Sequence, residues 1–147
     1  MPKPITPMVG CDTFVVNERE EVCLVRRADN GLWALPGGYQ DLGETPVECA
    51  AREFREETGL LIKVTRLLGV YSSTKYSDPT GVLRGHEVTH ILYQGVQVGG
   101  QEQPSPETPA IGWYASEDLP ELSSGHARII RQGFRSLSDS DLAPHME

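Results

Sequence analysis

The sequence predicts an α/β protein, and three observations lead to that fold class. Start and stop signals mark a helix at about Pro46 to Thr58, and apolar residues recur at helical spacing near the C-terminus. Short runs rich in β-branched residues lie before and between these two segments. The 147 residues fit a single domain, 1–147, long enough to bury a sizeable core. No internal repeat or linker divides the sequence.

The segment before the first helix is predicted to contain short strands joined by turns. Alternating apolar residues indicate the first two strands, and a polar turn between them predicts a hairpin. In order, the expected elements are a proline-rich extended arm at 1–7, a strand at Met8–Val16, a turn at Asn17–Glu20, a strand at Glu21–Arg27, a loop at Ala28–Gly31, and an extended segment at Leu32–Leu35 that leads into Pro36-Gly37-Gly38.

The first helix has clear signals at both ends. The Thr45 hydroxyl can accept a hydrogen bond from the first turn, Pro46 suits the first helical position, and Glu48 completes a T-x-x-E capping box. Gly59 supplies the left-handed residue that ends a helix. The apolar stripe that we expect to face the core consists of Val47, Ala50, Ala51 and Phe54.

Three carboxylates fall together on a neighbouring face of this helix: Glu53, Glu56 and Glu57. Like charges at such spacings destabilise a helix by roughly 0.2–0.5 kcal/mol per pair. Clustered oxygen ligands select hard cations, and Mg²⁺ binds one or two carboxylates while it keeps waters and accepts substrate phosphates. The alternative is a solvated acidic face balanced by Arg52 and Arg55.

The residues around this helix match a longer pattern. The stretch from Gly38 to Leu60, 23 of the 147 residues, reads GYQDLGETPVECAAREFREETGL. It fills every fixed position and both apolar positions of G-x5-E-x7-R-E-U-x-E-E-x-G-U, where U is a bulky apolar residue. It therefore resembles the signature of the Nudix hydrolase family. The resemblance implies an α/β/α sandwich, in which a mixed β-sheet lies between the first helix on one side and the C-terminal helix on the other.

The resemblance also implies a reaction and a set of residues. The reaction is the divalent-metal-dependent hydrolysis of a phosphoric anhydride bond in a nucleoside diphosphate linked to another group, with Mg²⁺ or Mn²⁺ as cofactor. The position of Glu56 is often that of the base that deprotonates water, and Arg52 and Glu44 are expected to orient the carboxylates and the loop. The implied metal ligands are the side chains of Glu53, Glu56 and Glu57 and the backbone carbonyl of Gly38.

Substrate recognition is expected from residues outside the signature. Either Arg26 or Arg27 should face the cleft and contact phosphate, and we favour Arg27 over the alternative of a solvated strand end. Tyr76 and Arg84 lie in a polar loop of the kind that selects the substrate in this family, although a generic solvated loop is the alternative. Glu107, in a later polar loop, is the candidate for an additional ligand or base, against an exposed acidic residue.

The second half of the sequence predicts further strands and a second helix. The apolar face of that helix is expected to consist of Ala127, Ile130, Phe134 and Leu137, and Gly133 should weaken the helix without preventing it. In order, the elements are a strand at Ile62–Tyr71, a polar loop at Ser72–Gly85, a strand in the run that follows, a polar loop at Gly99–Pro109, a strand at Ile111–Tyr114, a short helical turn at Ser116–Leu119, a helix capped by Ser124 and ending at about Leu137, and a frayed tail at 138–147.

One motif points to a different chemistry. His86 to His90 reads HEVTH and fits the H-E-x-x-H zinc signature, which requires a helix so that both histidines share one face. The β-branched residues of this run favour a strand instead. In a strand the two histidines would be about 13 Å apart, at roughly 3.3 Å per residue, which is too far to share one ion. We therefore set the zinc peptidase interpretation aside.

Composition limits the possible partners and location. The net charge of -8 argues against nucleic acid as a partner, because phosphates favour basic surfaces. No apolar run is long enough for a membrane span, so we expect a cytoplasmic protein. Cys11 and Cys23 are expected to be core residues and suggest neither a disulfide nor a zinc site. Cys49 lies one turn before Glu53 and is expected either to pack or to react with thiol reagents.

Two classes of function are compatible with these features. The first is a pyrophosphohydrolase that acts on a small-molecule nucleotide, with ADP-ribose or a nucleotide sugar favoured and a nucleoside triphosphate removed from the pool as the alternative. The second is a non-catalytic nucleotide-sensing module, against which the intact carboxylate set argues. The resemblance also suggests a homodimer.

Overall fold

The computed structural model describes residues 6–73 and 87–147 of the chain. The candidate recognition residues Tyr76 and Arg84, and His86 of the HEVTH motif, lie outside these ranges. Within them, no helix is long and apolar enough to cross a membrane. The described helices and strands are β1 (Met8–Phe14), β2 (Val22–Arg26), β3 (Trp33–Ala34), β4 (Gly37–Tyr39), α1 (Pro46–Thr58), β5 (Leu60–Ser72), β6 (Val88–Gly100), β7 (Ala110–Tyr114) and α2 (His126–Ser138).

The strands form two sheets. The larger has the order β4-β1-β6-β5 and is mixed, because β1 pairs with β6 in parallel while the other neighbours are antiparallel. The smaller has the order β3-β2-β7 and is antiparallel. The HEVTH motif thus runs into a strand, as predicted, because β6 begins at Val88. Within that strand His90 pairs with Gly10 of β1.

The two faces of β1 pack against different helices. Cys11 lies in a buried cluster with Cys49 and Ala50 of α1. Phe14 lies in a separate cluster with Ile130 of α2 and meets the ring of Phe134 edge-on at 5.0 Å. Because successive side chains of a strand point to opposite faces, the sheet lies between the two helices. The predicted α/β/α sandwich is confirmed, with two sheets in its central layer.

The predicted turn between the first two strands is present, but the two strands do not continue as a paired hairpin. One antiparallel bridge joins Val16 and Val22, and it is flanked by hydrogen bonds from the Asn17 amide to the Glu21 carbonyl at 3.0 Å and from the Cys23 amide to the Val15 carbonyl at 2.9 Å. A strand has two hydrogen-bonding edges, and those of β1 are occupied by β4 and β6. The second strand therefore turns away and pairs in the other sheet.

Helix α1 begins and ends as predicted, and its capping box is complete. The Thr45 hydroxyl accepts from the Glu48 amide at 3.1 Å, and the Thr45 amide donates to the Glu48 carboxylate at 3.0 Å. Val47, predicted to be buried, is 46% exposed. The buried face of the helix includes Thr58 instead. The Thr58 hydroxyl donates to the Phe54 carbonyl at 2.6 Å, so its burial leaves no unsatisfied donor in the core.

Helix α2 differs from the prediction at its start and on its buried face. Ser124 does not cap it; Gly125 precedes it in the left-handed conformation, and no side chain caps the helix. Ala127 is exposed. The buried residues include polar ones that find partners, as when the Gln132 amide donates to the Leu68 carbonyl at 3.0 Å.

The tail after α2 is ordered, and the prediction of a frayed end is wrong. The His145 amide donates to the Leu68 carbonyl at 3.0 Å, and the Val70 amide donates to the His145 carbonyl at 2.8 Å. The Glu147 carboxylate accepts from the Ser72 amide at 2.7 Å and pairs with Arg128. The backbone of the tail thus pairs along the outer edge of β5 at His145, and the Glu147 side chain holds its end. A polar tail sequence does not reveal such pairing.

Gly133 has a packing role that its low helix propensity obscures. A Cβ atom there would lie 2.1 Å from the Phe14 ring. We therefore expect Gly133→Ala to lower the free energy of unfolding by about 1–3 kcal/mol through overpacking, although alanine favours a helix by about 1 kcal/mol. Urea denaturation measures the change. Arg131→Ala, at an exposed position of the same helix, is the matched control, and equal stability of both variants would contradict this role.

Candidate active site

A cavity of about 680 Å³ opens between the two sheets. Its volume is within the range of small-molecule sites. Strand β1, the loop through Gly37 and Gly38, helix α1, strand β6 and the start of α2 all contribute to its lining. Two of the signature carboxylates, Glu53 and Glu57, face it.

Glu57 is largely buried in this cavity. Its carboxylate accepts a hydrogen bond from the Gly37 amide at 3.3 Å. Burial, and then the nearby charge of Glu53, raise the pKa of Glu57 to about 8. Burial also raises the pKa of Glu53, against the opposing effect of Arg52. Two partly desolvated carboxylates in one cavity form a site that a divalent cation would stabilise.

Gly38 allows the loop to approach the carboxylates closely. A Cβ atom on Gly38 would lie 2.4 Å from the carboxyl carbon of Glu53, so a side chain at this position would displace that group. The Gly38 carbonyl accepts a weak hydrogen bond from the Cys49 thiol at 3.6 Å. The glycine therefore brings a backbone oxygen to the same wall as the carboxylates.

Arg52 connects the loop to the helix. Its guanidinium donates two hydrogen bonds to Glu44, at 2.9 and 2.7 Å, and one to the Tyr39 carbonyl at 3.1 Å. A further nitrogen bonds Glu53 at 2.9 Å and Glu56 at 3.2 Å. The hydrogen bonds from Arg52 hold the pKa of Glu44 well below its usual range, at about 2. These contacts fix the orientation of Glu53 on its outer side.

Glu56 is placed differently from the other two signature carboxylates. Its side chain is 54% exposed and contacts Arg52, and it does not line the cavity. Over residues 6–73 and 87–147, no three side chains of the ligating types are grouped closely enough to hold a metal ion. Glu53, Glu57 and Gly38 all line the cavity and offer oxygen donors, and Mg²⁺ is commonly bound by one or two carboxylates and waters. This donor set fits a hard divalent cation.

The predicted recognition residues that the structure describes lie at the mouth of the cavity. Arg27 is 48% exposed and donates to Asp29 through two nitrogens, at 3.0 and 2.6 Å. Glu107 lines the same mouth, and its backbone carbonyl accepts from the Ala28 amide at 2.9 Å. The adjacent Thr108 hydroxyl donates to the Glu57 carbonyl at 3.1 Å, which ties this loop to α1.

The suggestion that Cys49 reacts with thiol reagents is contradicted. Its side chain is fully buried with Cys11, between α1 and β1. Burial, and next the neighbouring Cys11, raise the pKa of the Cys49 thiol far above its usual range. A buried thiol that resists ionisation is a packing residue, because the thiolate is the reactive form.

Three cavity residues were missed by the sequence analysis: Asp12, His90 and His126. Asp12 and His90 pair across neighbouring strands, with 3.0 Å between Oδ2 and Nδ1. His126 Nδ1 accepts a hydrogen bond from the Leu35 amide at 3.1 Å. An aspartate inside an otherwise apolar strand was the one available signal, because buried carboxylates are rare unless paired.

Comparison with known proteins agrees with this geometry. The model of the NUDIX domain matches residues 6–133. The ADP-ribose pyrophosphatase of Methanocaldococcus jannaschii is 36% identical over 132 residues, which cover 88% of this chain and 74% of that protein. A Bacillus subtilis protein named as a putative 8-oxo-dGTP diphosphatase is 33% identical over 111 residues, which cover 76% of this chain and 68% of that one.

Solved structures show the same fold. A UDP-X diphosphatase superposes with a TM-score of 0.82 and 28% identity, covering 97% of this chain and 68% of that one. An ADP-ribose pyrophosphatase from Streptococcus suis superposes with a TM-score of 0.79 and 26% identity, covering 97% and 100%. The chain belongs to the Nudix hydrolase family and is a pyrophosphohydrolase.

Proposed function

We propose that this protein hydrolyses ADP-ribose or a related nucleotide sugar, with Mg²⁺ or Mn²⁺ as the cofactor. The observation that carries the proposal is the pair of partly buried carboxylates, Glu53 and Glu57, on the wall of a cavity of about 680 Å³. Such a volume accommodates a nucleotide with an attached sugar. The names of the M. jannaschii relative and of the two solved structures support this substrate class.

The carboxylates would hold the cation together with the Gly38 carbonyl, and Glu56 is proposed as a further ligand and as the base. When bound, a divalent cation neutralises phosphate oxygens and lowers the pKa of water. Arg52 keeps Glu53 and Glu44 in place and carries positive charge at the edge of the site. Without a cation, the carboxylates would repel the substrate.

Residues at the cavity mouth would bind the nucleotide. Arg27 already donates to Asp29 through two nitrogens, and its remaining N–H donors are proposed to bind a phosphate oxygen. Glu107 is proposed as an additional base or ligand from the loop beside it. Tyr76 and Arg84 are proposed as recognition residues on sequence grounds. A cytoplasmic location, expected from the sequence, and a homodimer, expected from the resemblance, also stay proposals.

A second candidate substrate is a nucleoside triphosphate. It is favoured by the B. subtilis relative, which is named as a putative 8-oxo-dGTP diphosphatase. The alternative of a nucleotide sensor is disfavoured because the signature carboxylates are all present. The two hydrolytic candidates differ in their products, which gives a direct test.

A substrate panel with Mg²⁺ separates these candidates. We expect ADP-ribose or a nucleotide sugar to yield a nucleoside monophosphate and a sugar phosphate, resolved by ion-exchange chromatography. Preferred cleavage of triphosphates to monophosphate and pyrophosphate would favour the second candidate instead. No turnover of any member of the panel would indicate the sensor.

Glutamine substitutions test the roles of the three carboxylates one at a time. Glu53→Gln, Glu57→Gln and Glu56→Gln each remove a charge at nearly constant volume, and we expect each to lower kcat by about 10²–10⁴-fold. Glu18→Gln, on an exposed turn, is the control. An unchanged rate for Glu56→Gln alone would reject its role, while the other two variants test the cavity pair independently.

Binding of Mg²⁺ should raise the melting temperature of the protein, because it relieves repulsion between desolvated carboxylates. At a hundredfold excess over its dissociation constant a ligand stabilises by ~2.7 kcal/mol. For a chain of this size that corresponds to roughly 5–10 °C. Differential scanning fluorimetry with EDTA as the reference measures the shift. A shift of the same size in Glu57→Gln would place the cation elsewhere.

A further inference from the structure

One wall of the cavity carries polar side chains that have no part in the proposed hydrolysis. They are Asp12 on β1, His90 on β6 and His126 at the start of α2. The Asp12 side chain is only 8% exposed and that of His90 is 32% exposed. By contrast, Tyr39 and Asp29 at the mouth are more than half exposed. We refer to Asp12, His90 and His126 as the inner wall.

The tautomer of His126 is fixed by the backbone. A peptide N–H can only donate, so the bond from the Leu35 amide at 3.1 Å requires that His126 Nδ1 carry no proton. The neutral ring then carries its proton on Nε2. Burial lowers the pKa of His126, which also favours the neutral ring. His126 therefore presents a fixed hydrogen-bond donor.

Asp12 and His90 present complementary groups next to that donor. The Asp12 carboxylate accepts from His90 Nδ1 through Oδ2, which leaves Oδ1 as an acceptor. Burial lowers the pKa of His90, but its hydrogen bond with Asp12 and the charge of that carboxylate outweigh burial and raise it overall.

Asp12 and His126 both line the cavity, and within the described part of the chain each keeps one polar atom unpaired. Among the described residues, neither Nε2 of His126 nor Oδ1 of Asp12 has a hydrogen-bond partner. In the same part of the chain, the unpartnered side-chain atoms that are sealed from solvent belong to Thr13 and Ser123 only. Buried polar groups normally find partners, so these accessible ones are available to a bound molecule.

The chemistry of this wall selects one class of group. A donor beside an acceptor matches a hydroxyl group, which both donates and accepts. A phosphate offers only acceptors and would be repelled by the Asp12 carboxylate. A base stacks best on a large aromatic ring, and Tyr39 at the mouth is the one tyrosine, phenylalanine or tryptophan in the described lining, so a base fits the mouth better than the inner wall.

We propose that His126 is a specificity-determining residue which, with Asp12 and His90, binds the hydroxyl groups of the sugar attached to the nucleoside diphosphate. The proposal rests on the proposed function and names the part of its substrate that the inner wall recognises. The wall favours nucleotides that end in a sugar over those that end in a phosphate.

Two substitutions of His126 separate recognition from folding. Asparagine places its Oδ1 near the position of Nδ1, so His126→Asn keeps an acceptor for the Leu35 amide but removes the Nε2 donor. Glutamine extends an N–H towards the position of Nε2, so His126→Gln keeps a donor but removes the acceptor. If His126 had only a structural role, His126→Gln would not keep more of the binding selectivity than His126→Asn does.

The readout is the ratio of two dissociation constants in Mg²⁺. The probes are the α,β-methylene forms of ADP-ribose and ADP, in which a CH₂ group replaces the bridging oxygen so that no hydrolysis occurs. We expect the protein to bind the sugar-bearing probe more tightly by about three- to tenfold, as one or two net hydrogen bonds allow. This preference should vanish in His126→Asn at an unchanged Tm, and persist in His126→Gln at a lower Tm.

The outcomes distinguish this subsite from the proposed function. Absence of the preference in the unmodified protein, or its full retention in His126→Asn, would overturn the subsite. If the preference depends on His126 but ADP-ribose itself is not hydrolysed, the subsite stands and the proposed function fails. Asp12→Asn, of the same shape, should shrink the preference by improving binding of the ADP probe, and it provides an independent test if the histidine variants do not fold.

Discussion

The candidate active site depends on two partly desolvated carboxylates, Glu53 and Glu57, that line one cavity. Burial disfavours both charges, and the charge of Glu53 makes the ionisation of Glu57 harder still. The protein offsets part of this cost with one full charge, Arg52, and one peptide dipole, the Gly37 amide. The remainder is unsatisfied, and under the proposed function a divalent cation would relieve it. The functional centre is thus a place of stored electrostatic strain.

The surrounding fold keeps these carboxylates from relaxing into solvent. Helix α1 is capped at both ends and anchored through Ala50, Phe54 and Thr58, so its acidic face cannot rotate outwards. The loop at Gly38 presses onto Glu53 from one side, and the Thr108 hydroxyl holds the last turn of the helix from another. Rigidity on three sides converts a repulsive pair into a preorganised one.

Local signals carried the prediction of α1, and long-range pairing explains what was missed. Caps act within four residues, so the ends of α1 were readable from the sequence. The first two strands separate because each pairs with strands that are distant in the sequence. The tail docks for the same reason, since His145 pairs with Gly69 of β5. Helical spacing predicted that Glu53, Glu56 and Glu57 share a face, but not that Arg52 would draw Glu56 away from the cavity. His126 reaches the cavity that Asp12 lines only because α2 packs against the sheet.

Under the proposed function, the two sides of the cavity would bind different parts of the substrate, one charged and one neutral. A nucleotide sugar carries its negative charge on the pyrophosphate, while its sugar is neutral and rich in hydroxyls. Under the proposed function, Glu53 and Glu57, once neutralised by a cation, would form the region that tolerates the pyrophosphate. Asp12 keeps a second negative charge on the inner wall, where its partner is a histidine rather than a metal. That charge penalises any ligand that extends phosphate past the pyrophosphate position, whereas a hydroxyl can donate to it. Discrimination by a carboxylate that no metal neutralises needs no large contact area, because the wrong group is rejected by repulsion and by the hydrogen bonds it cannot return.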